Sequence, residues 1–198
     1  MRSQKVPLKE EIIDKSIQLF VRKGYNATRV EDITDATNVS KAAFYLHFTS
    51  KGELLETIID RYESLFTDQI VDTVLNSEGD FLSKMKYSHK WATDFAYHNR
   101  DLCVGFMTLS AEMAGSGTAI EARIKAIHAR YRNFMKAILE LGKKEGRIKD
   151  NLDIEVVAHV LNALHDGALI EWYTSYNEID GAELAVAYRE IFLSGILK

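Results

Sequence analysis

One cysteine, one proline and no long apolar run are the scarcities that bound this 198-residue chain. A lone Cys103 excludes an intrachain disulfide, and its setting, Leu102-Cys103-Val104-Gly105-Phe106, reads as a small buried hydrophobe rather than a reactive thiol. The single proline, Pro7, leaves nothing from Leu8 onward that forbids helix. The longest uncharged stretches, 102–111 and 156–165, are half the ~20 residues that a membrane span requires. Met1 to Pro7 shows no apolar signal segment, so a soluble, cytoplasmic protein in a reducing compartment is expected. Glycine-rich phosphate loops are missing. The six histidines include no pair spaced i, i+4 and no glutamate-x-x-histidine pair. Asp94 and His98 do lie four apart, but a third ligand at matching spacing is lacking. No metal, no cofactor, no catalytic residue and no enzymatic activity are therefore expected.

Sustained apolar–polar alternation is also absent, which leaves helical periodicity. In 118–142 the apolar positions are Ile120, Ile124, Ile127, Tyr131, Phe134, Met135, Ile138 and Leu141, one face of a 3.6-residue repeat. In 52–75 Leu55, Ile58, Ile59, Tyr62, Leu65, Phe66, Ile70 and Val74 do the same. Breakers at 24–26, 76–80, 98–101, 115–117, 146–151 and 177–181 separate such segments. The fold class expected is all-α with about nine helices. Charge divides unevenly along it: residues 1–52 carry +3 and the remainder −7, a basic head on an acidic body.

The head contains the most informative stretch. Thr28-x-x-Glu31 has capping-box spacing and opens a helix with Val30, Ile33 and Ala36 inward. Asn38 suits a left-handed turn position, Val39 plugs the angle, and Ser40 caps a second helix, 41–47. That helix is too short to stand alone and must rest on the scaffold through Phe44 and Phe48. Its opposite face then offers Lys41, Ala42, Ala43, Tyr45 and His47. Lys41 suits guanine or phosphate, Ala43 a thymine methyl, and Tyr45, His47 and Lys51 phosphate oxygens. A solvated amphipathic face is the plain alternative for such a pattern.

Residues 8–55 closely resemble the DNA-binding domain of the tetracycline-repressor (TetR) family. The carrying residues are Ile12, Ile13, Leu19-Phe20, Lys23-Gly24-Tyr25, Thr28, Ile33, Val39-Ser40-Lys41, Phe44-Tyr45-Leu46-His47-Phe48 and Ser50-Lys51-Gly52-Glu53-Leu54-Leu55. The resemblance implies an N-terminal three-helix helix-turn-helix DNA-binding domain over 1–52, with the motif at about 30–48. It implies a helical ligand-binding and dimerisation domain over 53–198, entered by a long helix at about 51–76. The family's phosphate-contacting positions fall on Thr28, Arg29, Tyr45, His47 and Lys51, and its base-reading positions on Lys41, Ala42 and Ala43; Ser40 joins them as the cap. Three departures stand out: Asn38 for the usual turn glycine, Ala42-Ala43 for the usual Gly or Pro then Thr, and Arg29 where a small hydroxyl is common. Arg29 is expected to steepen the salt dependence of binding by ~0.9 log unit per phosphate engaged.

The last two helices, 153–176 and 181–197, carry apolar stripes read as a dimer interface: Val157, Leu161, Leu164 and Ala168, then Leu184, Tyr188 and Phe192. A palindromic double-stranded operator read by a homodimer follows from the two-fold logic of such heads. The helices between are expected to enclose an effector cavity lined by Trp91, Phe95, His98, Phe106, Met107, Ser110, Met113, His128, Tyr131, Met135, His165 and Trp172. Many aromatics and methionines with few polar groups suit a small, largely apolar or aromatic effector. Glu112 reads equally as a pocket acid or a solvated residue. The function expected is a ligand-responsive transcriptional repressor that leaves its operator when the effector binds. An all-α carrier or enzyme with no DNA role is the rival.

Overall fold

The computed structural model describes residues 7–198; Met1 to Val6, where no signal segment was expected, lie outside the described residues. The described chain is helical throughout: α1 (Leu8–Lys23), α2 (Val30–Thr37), α3 (Lys41–Tyr45), α4 (Lys51–Tyr62), a π-helical segment (Glu63–Asp68), α5 (Gln69–Leu75), α6 (Phe81–His98), α7 (Arg100–Met113), α8 (Ala119–Lys144), α9 (Ile154–Thr174) and α10 (Gly181–Ile196). With 51–75 counted as one interrupted helix, nine helices result among the described residues, as expected. An isolated bridge between Ile148 and Leu197 is the extended pairing among them. None of their helices is long and apolar enough to cross a membrane.

The contacts divide the chain into two compact units. Unit 1 comprises 7–62 with 101–124, and unit 2 comprises 63–100 with 125–198. Unit 1 holds α1 to α4 and α7. Its core is Ile12, Ile13, Phe20, Ile33, Phe44, Phe48, Leu54 and Ile58, all essentially inaccessible to solvent. Burial of that apolar set is the main force holding three short helices together, since α3 is far below the length at which a helix is stable alone. Tyr62 stacks on Phe106 with ring centres 3.8 Å apart, so α7 packs as a layer of this unit. Arg61, mostly buried, bonds Glu10 and Asp14 and ties α4 to α1. Complementary end charges add to α1: Glu10 and Glu11 in its first turn, Arg22 and Lys23 in its last.

Three helices of unit 2 begin on an aspartate. Asp80, Asp153 and Asp180 accept backbone N–H bonds at the starts of α6, α9 and α10. An aromatic cluster fills its middle: Phe66 lies 5.2 to 6.0 Å from the rings of Trp91, Phe95, Tyr131 and His165. Helix α10 starts close against α9, where a Cβ on Gly181 would lie 2.6 Å from the Trp172 indole nitrogen.

Candidate nucleic-acid interface and ligand cavity

The head is shaped by its turns. Asn38 ends α2 at φ 53°, ψ 44°, the left-handed conformation that its short amide side chain tolerates. Two residues later the Ser40 hydroxyl accepts from the N–H of Ala43 at 3.1 Å and caps α3. The expected capping box is displaced by one residue. Arg29 is the residue at the cap position, and its N–H donates to the Asp32 carboxylate at 2.6 Å. Glu31 instead pairs with Lys41 across the turn, an exposed ion pair that holds the Glu31 carboxyl below its ordinary range and raises Lys41. The inward residues of α2 are Ile33, Thr34 and Thr37; Ala36 is exposed. Two threonine hydroxyls inside bond carbonyls of their own helix, so they are satisfied.

Phe44 and Phe48 anchor α3 and the turn after it, as their spacing requires. The outward residues are Lys41, Ala42, Tyr45 and Leu46, with Ala43 and His47 half-buried. Leu46, 84% exposed, protrudes beside Tyr45 and was not anticipated. Arg29 and Ser40 are exposed as well. Two expected phosphate grips are not available as such. The Thr28 side chain is fully buried and its hydroxyl donates to the Gly24 carbonyl at 2.7 Å. Lys51 turns inward: its ammonium donates to the carbonyls of Tyr25 and Thr28 at 2.8 and 2.7 Å and lies 4.1 Å from the centre of the Tyr25 ring. Burial lowers the Lys51 pKa, with Glu112 and Asp32 opposing that shift.

The same turn is gripped from its other side. Both carboxylate oxygens of Glu112, on α7, accept backbone N–H bonds at 2.7 Å, one from Tyr25 and one from Asn26. Gly24, at φ +83°, makes room for this: a Cβ there would lie 3.2 Å from the carboxylate in a backbone conformation that side chains rarely adopt. The corner 24–28 is thus fastened by an anion on its N–H groups and a cation on its carbonyls.

In unit 2 a cavity of about 120 Å³ lies between α6, α9 and α10, and a smaller one of about 20 Å³ adjoins α6, α8, α9 and α10. Of the expected lining, His165 and Trp172 border the larger, and Tyr131, Met135 and His165 the smaller. Trp91 and Phe95 stack on each other at 5.3 Å in the aromatic cluster. His98 is exposed, its Nδ1 2.7 Å from the Asp94 carbonyl of its own helix, while Asp94 pairs with Lys90; the described residues hold no cluster that could bind a metal. Phe106, Met107, Ser110 and Met113 belong to unit 1, where three of them sit among the residues of α7 that stack or bond within it. His128 is partly buried on α8.

Most of the expected dimer stripe is turned inward in the single chain. Val157, Leu161 and Phe192 are buried in their own unit, and Ala168, Leu184 and Tyr188 border the larger cavity. Only Leu164 stands out. The exposed apolar residues of α9 and α10 are Val156, Val160, Leu164 and Ile170, then Val186 and Ile191, the last 71% exposed. Ala163 and Gly167 lie exposed on the same stripe of α9.

Residues 12–58 match the model of bacterial regulatory proteins of the tetR family. The chain is 25% identical to the fatty acid metabolism regulator protein of Bacillus subtilis (strain 168) over 197 residues, 98% of this chain and 97% of that one. The crystal structure of the MbdR regulator from Azoarcus sp. CIB superposes with a TM-score of 0.87 at 26% identity, covering 96% of this chain and 98% of that one. The chain belongs to the TetR family. It is a DNA-binding transcriptional regulator, and its family is one of regulatory proteins rather than enzymes. The same fold occurs in the ketosteroid transcriptional regulator KstR2 of Mycobacterium tuberculosis, with a TM-score of 0.82, 21% identity, and 98% and 97% of the two chains covered.

One group in this TetR-family chain carries a pH signature. His89, on α6, borders the smaller cavity with its Nε2 buried and without a hydrogen-bond partner among the described residues. Burial, with Arg189 second, pushes its pKa down to about 4; the Ala185 carbonyl and Glu190 act the other way, and His165 adds to the lowering. The unfolded chain therefore takes up this proton near pH 6.5 and the folded one only near 4. Its contribution to stability is complete above pH 6.5 and is lost as pH falls through that window. Discounted for partial exposure, the loss is about 1–2 kcal/mol. Melting curves of the wild type and His89→Leu between pH 7 and 4 are expected to converge by that amount. Parallel curves contradict it.

Proposed function

We propose that the protein is a cytoplasmic homodimeric repressor that reads a palindromic operator through α3 and leaves it when a small, largely apolar effector enters the unit 2 cavity. Residues 1–52 are the reading head, and 53–198 carry the effector and dimer functions. The observation that carries the reading is a Ser40-capped α3 with Phe44 buried beneath it and Lys41, Ala42 and Tyr45 in solvent. Lys41 must exchange Glu31 for DNA, and a solvent-exposed pair of this kind is weakly held and readily broken. Lys41, Ala42 and Ala43 are the base-reading group; Arg29, Ser40, Tyr45 and His47 hold phosphate, and Leu46 adds apolar contact. Lys51 acts through the corner it braces, not through the backbone of DNA. Names of the relatives, a fatty acid metabolism regulator and a ketosteroid regulator, support an apolar effector. An effector needs a difference of only ~1–3 kcal/mol between its affinities for the DNA-competent and released states to matter.

Selection from a random DNA pool is the test. The expected product is a palindrome with half-sites one helical turn or a multiple apart. Lys41→Ala then relaxes preference at one position in each half-site. Tyr45→Phe lowers affinity severalfold for all sequences alike. A monomer that retains no particular sequence, or equal and indiscriminate losses in both variants, overturns the assignment.

A further inference from the structure

Two cavities of unit 2 share Ala92, His165 and Tyr188 in their walls, so they adjoin along these three side chains and offer two unlike ends. Small side chains, among them Ala92, Ala96, Ala168 and Ala185, give the larger end its width, and the Trp172 ring gives it a flat apolar wall. The smaller end, about 20 Å³, has room for a single oxygen-sized group. Its border carries the Ser88 hydroxyl, the His89 ring and the phenols of Tyr131 and Tyr188. Ser88 spends its hydroxyl only on a long contact to the Met135 sulfur at 3.8 Å, and His89 Nε2 has no partner among the described residues. Arg189 also borders this end, but its Nε and Nη2 both bond one oxygen of Glu190.

Burial is the largest influence on ionisation at the inner end; Arg189 eases the anionic form of Tyr188, and Asp166 opposes it at both phenols. Burial drives His89 towards its neutral form and pushes both phenols well up, so each keeps its proton. A medium that suppresses a cation and two anions among its own side chains imposes the same desolvation cost on a guest. Neutral hydrogen-bonding groups, by contrast, find donors and an acceptor in place.

We propose that this two-ended cavity takes an effector with an extended apolar body and one neutral oxygen function, a ketone, ester, thioester or alcohol, seated among Tyr131, Tyr188 and His89, and that it discriminates against carboxylate and ammonium ends. The proposal rests on the effector reading above and narrows it. Carriers of this chemistry lay their chain along the alanine-lined groove beside Trp172 and place the oxygen inside.

Calorimetric titration of the full-length protein, free of DNA at pH 7.5, tests this with four ten-carbon probes below their micellar concentrations: 2-decanone, 1-decanol, decanoate and decyltrimethylammonium. The ketone and the alcohol are expected to bind at least tenfold more tightly than either ion. Tyr188→Phe and His89→Leu each weaken the ketone about five- to tenfold. Ala96→Leu, at the half-buried rim of the groove, weakens ketone and alcohol alike. Equal or tighter binding of either ion, unchanged ketone affinity in both Tyr188→Phe and His89→Leu, or no binding of any probe overturns the proposal. Should His89→Leu fail to fold, Tyr188→Phe, which removes one atom, decides alone. Operator release is scored separately by mobility shift. Neutral probes that bind but leave the operator occupied sink the regulatory reading and keep this one; release by decanoate without ketone binding does the reverse.

Discussion

A chain carrying Val160→Glu together with Ile191→Glu elutes as a monomer at micromolar concentration and loses operator affinity by at least a hundredfold, while its melting temperature stays within a few degrees of wild type. Both residues are solvent-exposed in the single chain, at 48% and 71%, and glutamate is a good helix former, so the fold of one protomer has nothing to lose. The cost falls on pairing. In an isologous interface each change occurs twice, and four carboxylates would be withdrawn from water among apolar neighbours. Separated heads bind half-sites independently and forfeit the effective concentration that links them, worth about 10²- to 10⁴-fold. Size exclusion with light scattering, beside a mobility shift, reads both effects. A double variant that stays dimeric places the interface elsewhere; a monomer with undiminished operator affinity removes the two-headed mechanism.

Glu112→Ala, far from α3 in sequence, is expected to lower the melting temperature by about 4–12 °C and operator affinity about tenfold or more. The carboxylate makes two charge-assisted bonds, one to the part-buried N–H of Tyr25 and one to the exposed N–H of Asn26. Such bonds contribute about 1.5–3 kcal/mol each, and water recovers part of the exposed one, leaving roughly 2–3 kcal/mol. For a chain of this size one kcal/mol moves the midpoint by about 2–4 °C. Removing the anion also leaves the Lys51 ammonium partly buried without the charge that does most to offset its burial. Glu112→Gln is the informative companion. Its amide still offers one acceptor oxygen, so about half of the thermal loss returns, while its NH₂ faces an N–H and keeps the corner imperfectly closed. Differential scanning calorimetry and DNA titration at fixed salt measure the pair. An alanine variant indistinguishable from wild type in both would show that the corner holds its shape without the clamp.

What could be read from residue order was what depends on near neighbours. Asn38 in the left-handed region, the Ser40 cap and the buried Phe44 and Phe48 all follow from local spacing, and the structure has them. The capping box slipped by one residue because two carboxylates, Glu31 and Asp32, compete for the role, and Lys41 on the next helix takes the first. Lys51 looked like a phosphate grip because a lysine at a helix start is usually solvated. Its engagement with the carbonyls of Tyr25 and Thr28 depends on how a distant turn folds back. Glu112 bonds residues 86 and 87 positions away, and no periodicity encodes that. In α9 the error has a different origin. The helix is apolar on two faces, with Val157 and Leu161 on one and Val156 and Val160 on the other. A 3.6-residue repeat marks both stripes and does not say which one turns to its own core. The cavity was half legible for the same reason: Tyr131, Met135, His165 and Trp172 lie where chemistry suggested, whereas Phe106 and Met113 serve the packing of unit 1.

The bare backbone at Gly24 has an evolutionary corollary. A side chain there would meet both a forbidden dihedral and the seated carboxylate, so position 24 offers selection no intermediate settings. Asn26 and Ala27, one and two residues beyond the gripped Tyr25, point into solvent and are free to drift. Lineages that retune how firmly α7 holds the head must therefore do so by exchanging the acid at 112 or the base at 51, and a comparison of descendants would find variation in this corner paired across those two sites around an unvarying glycine.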